Sequence, residues 1–176
     1  MMTKLIFKFS DAIDALQSRL HELGFGNHRR QVGAICYRFR KGELEILLIT
    51  TRRTGRWIIP KGWPMEDKSD AAAAAQEAYE EAGVIGTISD AMFGRFSIQK
   101  FQDEQGYETI MVDAYLLHVD HLAEDFPEQG QRERQWFPAS VAALQGLDTG
   151  LSKLIKRADR QRDRFQPGQG QGQARA

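Results

Sequence analysis

Three glutamates at positions 77, 80 and 81 lie in an alanine-rich segment with the composition of a helix. Their spacing of i, i+3 and i+4 places the side chains within an arc of about 100° on one side of an α-helix. Carboxylates this close together repel one another and destabilise an isolated helix. Clustered carboxylate oxygens are also the ligands that Mg²⁺ or Mn²⁺ prefers. The spacing therefore indicates either a divalent-metal site or an acidic, solvated helix face.

The helix that carries these glutamates has recognisable ends. It follows a turn-forming run, IPKGWP, and Asp67 or Ser69 is suited to be its N-cap. Gly83 is suited to the position just after its last turn. A second side of the helix presents small side chains that would let it lie close against a sheet: Ala71, Ala75, Ala78 and Ala82. Packing and chemistry are thus expected on different sides of one helix.

The segment from Gly62 to Val84 resembles the Nudix box, whose usual form is G-x5-E-x7-R-E-U-x-E-E-x-G-U with U apolar. The positions that agree are Gly62, Glu77, Ala78, Glu80, Glu81, Gly83 and Val84. Two positions differ, because Lys68 stands where the first Glu is usual and Gln76 stands where the Arg is usual. In the family that Arg helps to hold the catalytic glutamates, whereas Gln76 forms hydrogen bonds without adding charge.

The resemblance implies metal-dependent hydrolysis of a pyrophosphate bond, with Mg²⁺ (or Mn²⁺) as the cofactor. The expected metal ligands are the Gly62 carbonyl and the carboxylates of Glu77, Glu80 and Glu81. A divalent ion neutralises the phosphate oxygens and activates a water molecule. We expect Glu77 or Glu80 to be the catalytic base, with three loop candidates ranked below them: Glu104, Glu108 and Glu128.

Four further segments are similar to the diphosphoinositol polyphosphate phosphohydrolase branch of the Nudix family. They are RRQVGAICYRF, RWIIPKGW, EAYEEAGVIGT and RERQWF. That branch cleaves diphosphoinositol polyphosphates and diadenosine polyphosphates. The similarity implies a set of substrate-binding cations, namely Arg29, Arg30, Arg56, Lys61 and Arg134. The usual PGGG turn of the branch is here Pro60-Lys61-Gly62-Trp63.

The order of the predicted elements indicates one α+β domain in a chain of 176 residues. Strands are expected at 32–39, 44–51, 57–59, 84–88, 92–101, 109–119 and 134–137, and helices at 10–23, 69–82, 138–144 and 148–164. The resemblance implies a Nudix-type α/β/α sandwich around a mixed β-sheet. We divide the chain into an N-terminal helical extension (1–27), a Nudix hydrolase domain (28–164) and a disordered tail (165–176).

Charge is distributed unevenly although the formal net charge is zero. Residues 1–62 carry +7, residues 63–128 carry −12 and residues 129–176 carry +5. An acidic centre between basic ends suits a metal site that serves a small-molecule polyphosphate. Six cations of the last predicted helix indicate a solvated face or, alternatively, a surface for an acidic partner: Lys153, Lys156, Arg157, Arg160, Arg162 and Arg164.

Other compositional features exclude several classes of function. The single cysteine, Cys36, forbids an intrachain disulfide, and the four histidines lack the spacing of a zinc site. No apolar run is long enough to span a membrane and no signal peptide is evident, so we expect a cytoplasmic protein, as a monomer or homodimer. Basic and aromatic residues do not alternate as in a dedicated RNA-binding module.

Two other functions stay open at this point. Lys68 and Gln76 are compatible with a Nudix-fold binding or regulatory module whose catalysis is impaired. The same box also serves RNA 5′-pyrophosphohydrolases. Against the first alternative, an inactive site has no physical need for three mutually repelling acids.

Overall fold

The computed structural model describes residues 29–102, 106–145 and 148–166. The strands are β1 (Arg29–Arg40), β2 (Glu43–Thr50), β3 (Trp57–Ile58), β4 (Lys61–Gly62), β5 (Val84–Gln102), β6 (Gly106–Leu122) and β7 (Arg134–Pro138). The helices are α1 (Asp70–Ala82), α2 (Ala139–Ala142) and α3 (Thr149–Arg160), followed by a 3₁₀ turn, Arg162–Arg164. The helix predicted at 10–23 and most of the predicted tail lie outside the described residues.

These strands form one mixed sheet with the order β3-β2-β1-β6-β5. β1 and β6 run parallel, from Arg29 opposite Ile110 to Tyr37 opposite His118. The other pairs are antiparallel, including the short β4 against β1 and β7 against β2. The mixed sheet that the resemblance implied is therefore present.

Both faces of the sheet are buried, which explains why the central strands are apolar without strict alternation. Along β1, Val32, Ala34 and Cys36 pack on the side of α1, whereas Ile35 and Tyr37 pack on the side of α2 and α3. β2 divides in the same way, with Leu47 and Ile49 on the first side and Ile46 and Leu48 on the second. The architecture is an α/β/α sandwich, as expected.

A tight hairpin joins β1 to β2. Lys41 and Gly42 have φ values of 52° and 80°, and a two-residue turn with two positive φ values matches the twist of the strands that it joins. Its closing pair is Arg40 opposite Glu43. The turn thereby sets the register between β1 and β2.

Helix α1 begins and ends as its sequence predicts. The Ser69 hydroxyl accepts a hydrogen bond from the Ala72 N–H at 3.2 Å, which caps the first turn. Gly83 ends the helix with φ 65°, a left-handed conformation that favours glycine. Small buried side chains seat the helix on the sheet: Ala71, Ala73, Ala74, Ala78 and Ala82.

Three elements differ in extent from the prediction. The stretches predicted at 84–88 and 92–101 form one long strand, β5, in which register shifts between Ile85 and Gly94 absorb the irregular sequence. α2 is shorter than expected, and the last helix ends at Arg160 before a separate 3₁₀ turn. No helix in the described ranges has both the length and the apolar character needed to cross a membrane.

An ion-pair cluster ties β1, β5, β6 and α1 together. Asp113 on β6 is 2% exposed and accepts hydrogen bonds from Arg95 Nη2 at 2.9 Å and from Arg30 Nη1 at 3.1 Å. Arg30 also donates from Nη2 to Asp70 Oδ1 at 3.0 Å, at the start of α1. Hydrogen bonds from Arg95 and Arg30 lower the pKa of the Asp113 carboxyl. The cluster fixes the angle at which α1 lies on the sheet.

Candidate active site

Gly62 and Glu77 are in close contact where β4 meets α1. Gly62 is held in the sheet opposite Val32. A β-carbon at position 62 would lie 2.0 Å from the carboxyl carbon and Oε1 of Glu77. Only glycine leaves room for this carboxylate. Gly62, the first residue of the box, and Glu77 therefore lie in direct contact.

Glu81 is the most buried of the three box glutamates, at 8% exposed. Its Oε2 accepts a hydrogen bond from the Lys61 backbone N–H at 2.9 Å, and its Oε1 accepts one from Arg132. Burial raises the pKa of the Glu81 carboxyl, although the Lys61 N–H and the Arg132 charge oppose that shift. Arg132 thus gives a buried carboxylate a side chain of opposite charge.

Glu80 is held by its neighbour one turn earlier in the helix. Gln76 Nε2 donates to Glu80 Oε1 at 2.7 Å. Lys68 Nζ donates to the other end of the same amide, Gln76 Oε1, at 3.4 Å. Lys68 and Gln76, the two residues that depart from the box, are therefore in contact with each other. Gln76 also contacts the box glutamate Glu80.

The arrangement of these acids bears on whether a metal ion fits. Among the described residues, no three Asp, Glu, His or Cys side chains converge on one point as a metal site requires. Glu81 Oε1 accepts a hydrogen bond from Arg132, and Glu80 Oε1 accepts one from Gln76.

The donor chemistry itself suits a hard divalent cation. Burial, together with the charges of Glu81 and Glu80, raises the pKa of the Glu77 carboxyl to about 7. The described residues donate no hydrogen bond to this carboxylate. Several oxygen ligands with unbalanced negative charge are what Mg²⁺ or Mn²⁺ binds. The donor set that these residues supply therefore fits such an ion.

A loop carries a fourth carboxylate to the same place. The Glu128 backbone N–H donates to the Glu80 carbonyl at 3.0 Å, which docks the loop on the end of α1. The Glu128 carboxylate pairs with Arg52 and, at 3.1 Å, with Arg132 Nε. Of the other loop candidates for the catalytic base, Glu104 lies outside the described residues and Glu108 lies 3.7 Å from Arg29. Glu128 is the loop acid placed beside the box.

A cleft of about 830 Å³ opens next to these acids. Lys61 and Arg132, which both contact Glu81, lie on its wall. The cations that line it are Arg52, Arg53, Arg56, Lys61, Lys100 and Arg132. One carboxylate, Asp148, and apolar or uncharged side chains such as Trp57, Ile58 and Gln31 complete the wall. A cleft with this many cations beside clustered carboxylates is suited to a polyanionic ligand.

The substrate cations expected from the resemblance occupy different places. Arg56 and Lys61 line the cleft. Arg29 stacks on Trp63, with 4.4 Å between its guanidinium carbon and the ring centroid. Arg30 is held by Asp70 and Asp113. These contacts place Arg29 and Arg30 away from the wall of the cleft, and a role for them in substrate binding stays a prediction.

Arg134 takes a position at the end of α1. Its Nη1 donates to the Ala82 carbonyl at 2.6 Å, where a cation is favourable because the carbonyl ends of the helix point there. Its guanidinium carbon lies 4.8 Å from the centroid of Phe126. This geometry supports packing of the loop that follows β6, and a role for Arg134 in substrate binding stays a prediction.

Two lining residues, Lys100 and Gln31, had no signal in the sequence. They lie on β5 and β1, within runs that read as ordinary strands. Arg52, Arg53 and Arg132 stand in or beside predicted loops, where position alone does not separate a phosphate ligand from a surface cation. Their convergence results from the pairing of distant strands.

Comparison with known proteins agrees with this geometry. The family sequence model of the NUDIX domain matches residues 27–158 of this chain. The chain belongs to the Nudix hydrolase family. One relative, Nudix hydrolase 21, chloroplastic, from Arabidopsis thaliana, is 33% identical over 143 residues, covering 76% of this chain and 69% of the relative. The resemblance to the family is thereby confirmed.

Two further comparisons concern the branch and the fold. Human diphosphoinositol polyphosphate phosphohydrolase 3-beta is 29% identical over 116 residues, covering 65% of this chain and 66% of the relative. The crystal structure of C. elegans Ap4A hydrolase superposes with a TM-score of 0.53 at 18% identity, covering 74% of this chain and 96% of that chain. The first places a phosphohydrolase of the expected branch among the relatives, and the second shows the fold.

Proposed function

We propose that this Nudix hydrolase cleaves a pyrophosphate bond in a nucleoside or inositol polyphosphate, with Mg²⁺ (or Mn²⁺) as cofactor. The observation that carries the proposal is that Lys61 and Arg132 contact the box glutamate Glu81 and also line the cationic cleft. A group bound by the cleft cations is thus brought to the acids of the box. Diadenosine polyphosphates and diphosphoinositol polyphosphates are the favoured substrates.

Each part of the site has a chemical role in this proposal. The carboxylates of Glu77, Glu80 and Glu81 and the Gly62 carbonyl would hold the divalent ion, which supplies charge neutralisation and an activated water when bound. The cleft cations hold the phosphates, and arginines can do so through paired hydrogen bonds. Glu77 or Glu80 accepts the proton of the attacking water.

Arg52 and Arg132 partner two of the carboxylates of the site before substrate binds. Both pair with Glu128, and Arg132 pairs with Glu81 as well. An incoming phosphate offers these guanidinium groups an alternative anion, while a divalent ion offers the carboxylates an alternative cation. The exchange leaves each charge with a partner, which avoids the cost of a buried unpaired ion.

The proposal is tested by turnover on a substrate panel with Mg²⁺ or Mn²⁺. The panel contains diadenosine polyphosphates, diphosphoinositol phosphates, nucleoside di- and triphosphates, ADP-ribose and triphosphorylated RNA. Metal-dependent cleavage of a diadenosine polyphosphate into two nucleotides, or metal-dependent release of inorganic phosphate from a diphosphoinositol phosphate, supports the proposal. Turnover of triphosphorylated RNA in their place would assign an RNA 5′-pyrophosphohydrolase instead.

A second candidate is a Nudix-fold binding module with impaired catalysis. One observation favours it: Glu81 is engaged by Arg132, and the described residues contain no assembled three-ligand metal site. Calorimetric titration with the same panel separates the candidates. Tight binding of a polyphosphate without turnover in either metal would support the binding module.

A further inference from the structure

The two departures from the Nudix box form one chain of hydrogen bonds. Lys68 Nζ lies 3.4 Å from Gln76 Oε1, and Gln76 Nε2 lies 2.7 Å from Glu80 Oε1. Gln76 and Glu80 are one turn apart on α1, whereas Lys68 precedes its N-cap. The chain therefore links the approach to α1 with a glutamate in the middle of the candidate site.

Chemistry allows only one orientation of this chain. The ammonium of Lys68 donates and does not accept, while an ionised Glu80 accepts and does not donate. A glutamine amide between them must turn its oxygen to the lysine and its NH₂ to the glutamate. Lys68 thereby selects the orientation in which Gln76 holds Glu80, and opposes the flipped amide that would put two oxygens together.

Each departure also fits the other better than it fits the usual residue. An arginine at position 76 would bring its donors against the donors of Lys68 and place two positive charges together. A glutamate at position 68 would face Gln76 without adding charge to attract Glu80. The usual Glu and Arg carry opposite charges. Lys68 and Gln76 are instead matched as hydrogen-bond donor and acceptor, because the lysine ammonium donates to the amide oxygen.

We propose that Lys68 and Gln76 are a coupled pair of positioning residues that hold the Glu80 carboxylate in place of the usual box arginine. This inference rests on the proposed function for its kinetic consequences but not for its geometry. Lys68 acts through Gln76 and has no contact of its own with the site acids among the described residues. The two positions should therefore be strongly non-additive.

The first test is a double-mutant cycle in turnover. Gln76→Met and Lys68→Met keep the length of the side chains and remove the polar ends. We expect kcat to fall about tenfold for Gln76→Met, equivalent to about 1.4 kcal/mol, and several-fold for Lys68→Met, with KM within about twofold. The double variant should be no slower than Gln76→Met. Lys153→Met, an exposed lysine on α3, is the matched control and should behave as wild type.

The second test restores the usual pair. Gln76→Arg alone should be slower than wild type because the arginine faces Lys68, and Lys68→Glu alone should be slower because the amide loses its donor. Gln76→Arg with Lys68→Glu should recover most of the kcat. Additive losses in the methionine cycle, or a Gln76→Arg variant as fast as wild type, would overturn the proposal.

A readout that does not need turnover separates this inference from the proposed function. The dissociation constant for Mn²⁺, measured by electron paramagnetic resonance on each variant, should rise by similar factors for Lys68→Met, Gln76→Met and the double variant, because Glu80 is displaced in all three. If wild type turns over no substrate yet shows this coupling, the proposed function fails and the inference holds. Mn²⁺ affinities that are unchanged in every variant would contradict the inference, provided that urea unfolding shows folded proteins.

Discussion

The Glu77 carboxylate fills the space that a side chain on residue 62 would need. A β-carbon on Gly62 would lie 2.0 Å from that carboxylate, well inside van der Waals contact. The two residues are 15 positions apart in the chain and meet because β4 pairs with β1 under the start of α1. The glycine of the box is thus a structural condition for the position of an acid in the same box.

Gly62→Ala should inactivate the protein through Glu77. The new methyl group displaces the carboxylate, and a misplacement of about 1 Å costs roughly 10² in rate. The measurement is kcat beside that of Glu77→Gln and of the double variant, which should be no slower than Glu77→Gln alone. Normal kcat in a folded Gly62→Ala protein would show that this contact is not needed.

Glu77→Gln should lower kcat by about 10² to 10⁴, the scale of a general acid–base group, if Glu77 is the base. Its control is Glu66→Gln, because Glu66 is exposed and precedes α1. Kinetics in Mg²⁺ and in Mn²⁺ measure the effect. A Glu77→Gln protein that matches Glu66→Gln would remove Glu77 from the catalytic set.

Arg132→Met should destabilise the fold as well as the site. It leaves Glu81 buried without a charged partner and frees the Thr50 carbonyl that Arg132 Nη1 contacts at 3.2 Å. Breaking a buried pair from one side costs about 3 kcal/mol. Urea unfolding of the metal-free protein at neutral pH measures the change. The exposed Arg53 provides the control variant Arg53→Met, and an equal stability of the two proteins would contradict the assigned role.

Asp113→Asn should make the free energy of unfolding less dependent on pH in the acid range. The pKa of Asp113 is lowered from its ordinary value of 3.8 in the folded protein, chiefly by the hydrogen bond from Arg95. The ionised carboxyl therefore contributes its full stabilisation above about pH 4. This stabilisation is lost as the pH falls through the pKa that Asp113 has in the folded protein. Urea unfolding of both proteins from pH 7 to pH 2.5 measures the difference.

The difference in the free energy of unfolding between wild type and Asp113→Asn should decrease as the pH falls. At pH 7 the asparagine variant should be less stable by about 2 to 3 kcal/mol, because Arg95 and Arg30 lose a buried anion. Toward the acid end the wild-type carboxyl is protonated, and the two proteins should converge. Parallel curves across this range would show that Asp113 is not the group whose titration differs between folded and unfolded states.

Lys100→Met should weaken substrate binding without slowing the chemical step. Lys100 lines the cleft but contacts none of the box glutamates directly. We expect KM to rise about fivefold at constant kcat, the effect of losing about 1 kcal/mol of uniform binding. Lys156→Met on α3 controls for the loss of an exposed lysine. A fall in kcat at unchanged KM would place Lys100 in the chemistry instead.

Local sequence rules predicted the parts of the site that belong to one helix. Ser69 and Gly83 mark the ends of α1, and the spacing of Glu77, Glu80 and Glu81 predicts one acidic side because the helical period is fixed. The box motif added Gly62, which no periodicity would have selected. The predicted ends of α1 are confirmed because each depends on residues close together in the chain. The roles of Gly62 and of the three glutamates stay predictions.

The composition of the cleft could not be predicted in the same way. Lys100 reaches it only after β5, β6 and β1 pair across long sequence separations, and Arg132 only after β7 pairs with β2. Arg30 shows the converse, since its place in the Asp113 cluster depends on a partner 83 residues away. A cation in a sequence is a phosphate ligand or an ion-pair partner according to contacts that local patterns do not contain.

The most direct test of the central claim is hydrolysis by wild type and Glu80→Gln side by side, measured as nucleotide products from diadenosine polyphosphates and as phosphate release from diphosphoinositol phosphates. Each is assayed on diadenosine polyphosphates and diphosphoinositol phosphates with Mg²⁺, with Mn²⁺ and with chelator. Metal-dependent hydrolysis that chelator abolishes and that falls by about 10² or more in Glu80→Gln is the predicted result. Equal turnover by the two proteins, or no turnover by a folded wild type that binds Mn²⁺, would contradict the account.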